Sequence, residues 1–130
     1  AYAGELPVCF VELLPNTDVS IKDLNHHAQR LIDERPAWPK HILLIDTIPL
    51  TTVGKIYKPS LRCTAAKTKI MDLVQNELGL ADACVDVVVG GSRGMRVTVI
   101  LPEKNQSSAS EVDNALAAFL FEARVQVGTI

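Results

Sequence analysis

Along the chain, runs of apolar residues give way to helical spacing and back again, each change marked by a turn residue. Residues 8–14 (VCFVELL) form a short apolar run closed by Pro15 and Asn16, the pattern of a strand entering a turn. Ser20 then stands as an N-cap, with Asp23 at the capping-box position and Val19 placed to staple onto Leu24. Ile21, Leu24, Ala28, Leu31 and Ile32 share one helical face, so this helix is expected to cover a sheet and to stop before Pro36. Residues 41–48, rich in Ile and Leu and bracketed by Pro39 and Pro49, predict a second strand.

A turn follows, and Pro59 suits the first turn of another helix. Its expected inner face is Leu61, Ala65, Thr68, Met71, Val74 and Leu78, with Gly79 as its stop. Residues 85–89 and 95–101 flank a Gly90-Gly91-Ser92-Arg93-Gly94 turn and predict a β-hairpin. Residues 102–107 read as a polar loop. Ser108 and Glu111 then propose a capping box for a helix with Val112, Ala115, Leu116, Phe119 and Leu120 facing inward. In residues 121–127 apolar and polar side chains alternate, as in a final strand.

The order β-α-β-turn, then α-β-β-α-β, defines an α+β class: a small two-layer domain with helices packed on a mixed or antiparallel sheet, and an α-β-β-α-β C-terminal extension. The expected division is residues 1–62 and 63–130.

Composition narrows the function. Of 130 residues, 48% are hydrophobic and only 5% aromatic, so aliphatic side chains must build the core. A formal charge of −2 argues against an electrostatic nucleic-acid binder. No apolar run approaches a membrane span, and no secretory signal opens the chain. A start at Ala1-Tyr2 without Met is the expected look of a piece of a longer protein. Cys9, Cys63 and Cys84 are widely spaced without a CxxC, which predicts reduced thiols in a cytoplasmic protein, Cys9 and Cys84 packing as small hydrophobes. His26 and His27 are helix neighbours pointing about 100° apart, and His41 has no ligand partner nearby, so no metal site is expected. The glycine-rich turn at residues 90–94 lacks the following helix that a phosphate loop requires.

The chemistry concentrates at Gly54-Lys55. Glycine allows a sharp turn just before a cation with three donors, suited to an anionic oxygen, and Val53 and Ile56 are placed to anchor that turn to the core. "PLTTVGKIYK", preceded by "RPAWPKHILLIDTI" and followed by "PSLR", resembles the last signature of the adenylate-forming superfamily: acyl- and aryl-CoA synthetases, peptide-synthetase adenylation domains and beetle luciferases. The upstream "GELPVCFVELLP" is similar to the C-terminal domain of the same superfamily, and the resemblance covers residues 4–62. Trp38 departs from the smaller or tyrosine-like pattern before the proline-lysine entry and is read as a packing residue.

The resemblance, most like a bacterial acyl-CoA synthetase, implies a mobile C-terminal lid whose N-terminal large domain is absent. Lys55 would be the catalytic lysine of ATP-dependent adenylation of a carboxylic acid, fatty or aromatic, before thioester formation with CoA. Gly54 and Lys58 would contribute to cofactor binding, ATP and Mg²⁺ being held mainly by the large domain. The fragment alone is expected to be inactive. The phosphate loop, the acidic motif for ATP and Mg²⁺, and the hinge of the superfamily are not in these residues. Residues 63–130 pass the usual end of the superfamily and are expected to be a structural or assembly addition. Their last strand would either pair within its own sheet or join a second subunit in a homo-oligomer. Two rivals stand beside this reading: a peptide-synthetase adenylation domain, which should be followed by a carrier serine in a setting like Gly90-Gly91-Ser92, and a non-enzymatic α+β interaction module.

Overall fold

The computed structural model describes residues 7–128; Gly4 and Glu5, which open the upstream motif, lie outside the described residues. The chain divides into two compact units, Ala1–Tyr57 and Lys58–Ile130.

In the first unit, strand β1 (Val8–Val11) lies parallel to β2 (His41–Leu44), with Val8 opposite His41 and Val11 opposite Leu44. Helix α1 (Ile21–Leu31) packs against β2 and begins as the sequence predicts. The Asp23 N–H donates to Ser20 Oγ at 3.1 Å, and the Ser20 N–H donates to Asp23 Oδ2 at 3.2 Å. The backbone N–H of Ser20 and its hydroxyl hold the Asp23 carboxyl below its ordinary range. Leu24, Ala28 and Ile32 are half-buried, whereas Ile21 and Leu31 of the expected face are exposed.

Both strands are shorter than their apolar runs. The Ile45 N–H still reaches Val11 O at 2.9 Å, but Leu14 then accepts the Thr17 N–H across a turn with Asn16 at φ 62, and β1 has ended. The Ile48 N–H therefore finds no ladder partner and donates instead to the Glu12 side chain.

The second unit has an α-β-β-α-β order. Helix α2 (Lys58–Asp72) runs into a π-helical turn, Leu73–Glu77. Strand β3 (Cys84–Val89) pairs antiparallel with β4 (Met95–Leu101), and β5 (Glu122–Val127) pairs parallel with β4, which is central in the order β3-β4-β5. A 3₁₀ helix (Glu103–Ser108) and α3 (Ala109–Leu116) make the crossover between the two parallel strands. The sheet is mixed, and both helices cover the same face. Ile70 and Val74 from the α2 arm, Val85, Val97, Val99 and Leu101 from the sheet, and Val112 and Leu116 from α3 form one buried cluster. Each such side chain, fully buried, stabilises the unit by about 1.5–3 kcal/mol. Across the register the opposite face reads Asp86–Thr98–Arg124 and Val88–Arg96–Glu122.

Three expectations are corrected here. Of the expected α2 face Val74 is buried and Leu61, Ala65, Met71 and Leu78 are half-buried, but Thr68 is exposed and turns its hydroxyl back to Thr64 O at 3.0 Å, while Cys63 and Ile70, outside the expected set, are buried. Cys63 and Ile70 precede the π turn and share one helical face with Val74, so the buried stripe runs beside the positions expected from the apolar pattern and the turn does not account for it. The Ser108 capping box does not form, because the 3₁₀ helix runs directly into α3 and leaves Ser108 already helical at φ −90, ψ −5. Leu120, expected to face inward, is 84% exposed, since α3 ends at Leu116 and the chain unwinds toward β5. The interior side there is taken by Phe119 and Phe121, whose rings stack at 5.1 Å.

Candidate functional site

The stretch between β2 and α2 is a miniature hairpin. Leu50 and Ile56 form an antiparallel bridge, and the Tyr57 N–H donates to Pro49 O at 2.8 Å beneath it. Above the bridge the Thr51 N–H donates to Lys55 O at 2.7 Å, and the Gly54 N–H closes the turn onto Thr51 O at 3.0 Å. Thr52, Val53 and Gly54 are thus a three-residue loop whose last member sits in the left-handed region, at φ 82. Glycine is the residue for that position. Thr51 does more than continue the strand. Its Oγ1 accepts the Lys55 N–H at 3.1 Å while its own amide holds the Lys55 carbonyl, so the backbone of Lys55 is gripped on both sides by one residue.

The expected apolar anchors are not anchors. Val53 is 77% exposed and Ile56 52% exposed, and Leu50 and Tyr57 are also open. The hairpin is held by backbone hydrogen bonds and by the Thr51 hydroxyl, and Lys55 and its apolar neighbours are exposed. Among the described residues no hydrogen bond or ion pair engages the Lys55 ammonium. Lys58 opens α2 in the second unit and is exposed; Gly54 and Lys55 belong to the first. Trp38 has its polar atom satisfied inside its own unit: the indole N–H donates to Ile32 O at 2.9 Å and Arg35 lies 5.5 Å over the ring.

The glycine-rich turn of the second unit is an anion nest already filled. Glu122 Oε1 accepts the Ser92 N–H at 2.9 Å and the Ser92 hydroxyl at 2.5 Å, and its Oε2 accepts Arg96 Nε at 3.1 Å. These donors, the Ser92 hydroxyl foremost, hold the Glu122 carboxyl at about 2. A Cβ on Gly91 would stand 2.6 Å from Glu122 Oε2 and push that carboxylate aside, and the φ of 73 itself favours glycine. Ser92 is therefore a clamp residue, in a hairpin and bonded to a carboxylate.

Cys63 is buried, which pushes its thiol up, while Cys9 and Cys84 are only half-buried; all three are free. Among the described residues no group of three or more His, Cys, Asp or Glu could hold a metal ion. Among the same residues no helix is long and apolar enough to cross a membrane.

Thr51, Glu12 and Glu122 were not singled out from the sequence. Thr51 stood inside the signature without a role, and the partners of the two glutamates lie 36 and 30 residues away.

With this geometry in view, the chain is similar to a CoA ligase. It is 30% identical over 125 residues to Marinolic acid–CoA ligase of Pseudoalteromonas sp. (strain SANK 73390), a match that takes in 94% of this chain and 19% of the ligase. The resemblance read from residues 4–62 is thus borne out, and a match of this extent continues through most of the second unit. The chain spans about a fifth of the length of that curated relative. No family model matches the chain, and no solved structure matches it.

Proposed function

We propose that this chain is part of an AMP-forming acyl-CoA ligase and that residues 1–62 belong to the mobile lid carrying the adenylation lysine. The observation that carries the proposal is the Lys55 hairpin: its backbone is locked by Thr51 and Gly54, and its ammonium has no internal partner among the described residues. Similarity to a CoA ligase over 94% of the chain supports the same reading. In adenylation a carboxylate oxygen attacks the α-phosphorus of ATP, and pyrophosphate leaves. Two anions must meet, and negative charge builds on the phosphoryl oxygens. A cation that arrives with a closing lid supplies its charge once water is excluded. The exposed Leu50, Val53, Ile56 and Tyr57 give the hairpin an apolar collar to bury on closure. A carboxylic acid, ATP and CoA are the proposed substrates. Dependence on ATP and CoA agrees with a cytoplasmic setting.

Residues 1–62 are assigned to the lid and 63–130 to an extension that is part of the ligase. Ser92, engaged by Glu122 in a hairpin turn, does not suit a carrier attachment serine, which disfavours the peptide-synthetase alternative.

In the full-length ligase, Lys55→Ala should slow adenylation by about 10²–10³-fold, the usual cost of one preorganised charge contact. Thioester formation from preformed acyl-adenylate and CoA should be spared. Measuring the half-reactions separately decides the matter: an equal fall in both would make Lys55 a folding or docking residue.

A further inference from the structure

The Lys55 hairpin has few means of keeping its place. Its apolar side chains are exposed, Pro49 at its base has no N–H to donate, and its other hydrogen bonds among the described residues are internal to it. One side chain reaches it from the sheet. Glu12 directly follows β1, and its Oε1 accepts the Ile48 N–H at 2.8 Å. Ile48 adjoins Pro49, whose carbonyl closes the hairpin base on Tyr57. β1 is itself registered on β2 along its whole length. A continuous path therefore runs from the paired strands through Glu12 to the foot of the turn that presents Lys55.

We infer that Glu12 is a positioning residue for Lys55, its carboxylate tethering the hairpin base to the strand pair so that the ammonium enters the reacting site in one place. The inference rests on reading Lys55 as the adenylation lysine. The tether needs an acceptor oxygen at the reach of a glutamate side chain and does not need a negative charge, because the donor is a neutral backbone N–H. Glutamine keeps that oxygen at that reach. Aspartate keeps the charge and loses one methylene of length.

The test uses the full-length ligase, with adenylation and thioester formation measured separately for Glu12→Ala, Glu12→Asp, Glu12→Gln, Lys55→Ala and the Glu12→Ala/Lys55→Ala pair. A misplacement of about 1 Å can cost about 10²-fold. Glu12→Ala and Glu12→Asp should therefore lower the adenylation kcat by about 10- to 100-fold with KM for acid and ATP little changed, and should leave thioester formation alone. Glu12→Gln should restore adenylation to within about twofold of the parent. In the Lys55→Ala background Glu12→Ala should add no further loss, since the two residues act on one step as a unit.

If Lys55→Ala cripples adenylation while Glu12→Ala does not, the tether is overturned and the lysine reading stands. If Lys55→Ala itself leaves adenylation intact, the lysine reading falls and the tether with it. If Glu12→Ala slows both half-reactions, or adds its full factor to Lys55→Ala, Glu12 supports folding generally and the inference is wrong. If Glu12→Ala does not fold, Glu12→Asp and Glu12→Gln decide: a normal aspartate variant beside an impaired glutamine variant means that charge matters and the tether does not.

Discussion

Gly54 occupies the last position of the Thr52-Val53-Gly54 loop at φ 82, and an added Cβ there would meet nothing within 4 Å. The cost of replacing it is therefore conformational and involves no clash. An L-residue in the left-handed region loses about 1–2 kcal/mol, with Asn the best tolerated and β-branched residues the worst. In the proposed full-length ligase, adenylation should fall in the order Gly54, Gly54→Asn, Gly54→Ala, Gly54→Val, with Lys55 present throughout. Equal rates for the asparagine and valine variants would show that the turn does not place the lysine. Gly91 differs in kind: its Cβ would stand 2.6 Å from Glu122 Oε2, so a side chain there displaces the carboxylate that Ser92 and Arg96 hold.

At the scale of elements, the second unit joins its β3–β4 turn to the start of β5 through the Glu122 carboxylate. Ser92 and Arg96 donate to it, and Arg93 adds a bond from Nη1 to Leu120 O at 3.1 Å. The carboxyl is lowered from 4.5 to about 2 in the folded chain. The unfolded state therefore binds a proton first as the solution is acidified. The clamp contributes fully above about pH 4.5 and fades as pH falls toward about 2. Glu122→Gln should have a lower denaturation midpoint at neutral pH, and its gap to the parent should narrow steadily across that acid window. Amide exchange in β3, β4 and β5 measured along a pH series reads the difference. A gap that stays constant down to pH 2 would mean the carboxylate is not what holds the turn. Surface charge screening limits the size of the effect, because Glu122 is well exposed to solvent.

For the molecule as a whole, the question is what residues 63–130 add. The match to a CoA ligase extends over them, so they are shared with that enzyme. Two side-chain clamps stand among them, Glu122 with Ser92 and Arg96, and Lys104 paired to Asp82. α3 and β5 supply Val112 and Leu116 to the core and give β4 its second neighbour. Removing residues 103–130 should therefore strip the sheet of one edge and open Val97, Val99 and Leu101 to water. Amide protection in β3 and β4 should collapse and the proposed full-length ligase should aggregate, while any molecule that stays folded should keep the proposed adenylation. A soluble, monodisperse truncation that had lost adenylation alone would instead place the extension in the chemistry. In the complete chain β5 pairs in its own sheet, and β3 and β5 remain the two edges.

What the sequence determined by itself is what local physics decides. The Ser20–Asp23 capping box, the β3–β4 hairpin, the alternation of β5 and the Gly54 turn each depend on residues within a few positions of one another. So did the likeness to a CoA ligase, carried by one contiguous signature around Lys55. What only the tertiary structure decided depends on partners distant in sequence. On α2 Cys63 and Ile70 are buried although the apolar pattern passed them over, because packing of distant elements selects which side of a helix is covered. The hairpin flanks Val53 and Ile56 were apolar enough to read as buried, yet this fold places no side-chain layer over them. Glu12 and Glu122 became the fasteners of their two units because folding brought a single unpaired amide, Ile48 N–H, to one and the donors of a tight turn to the other. A carboxylate is an acceptor wherever it stands, and only the folded chain selects which donor it meets.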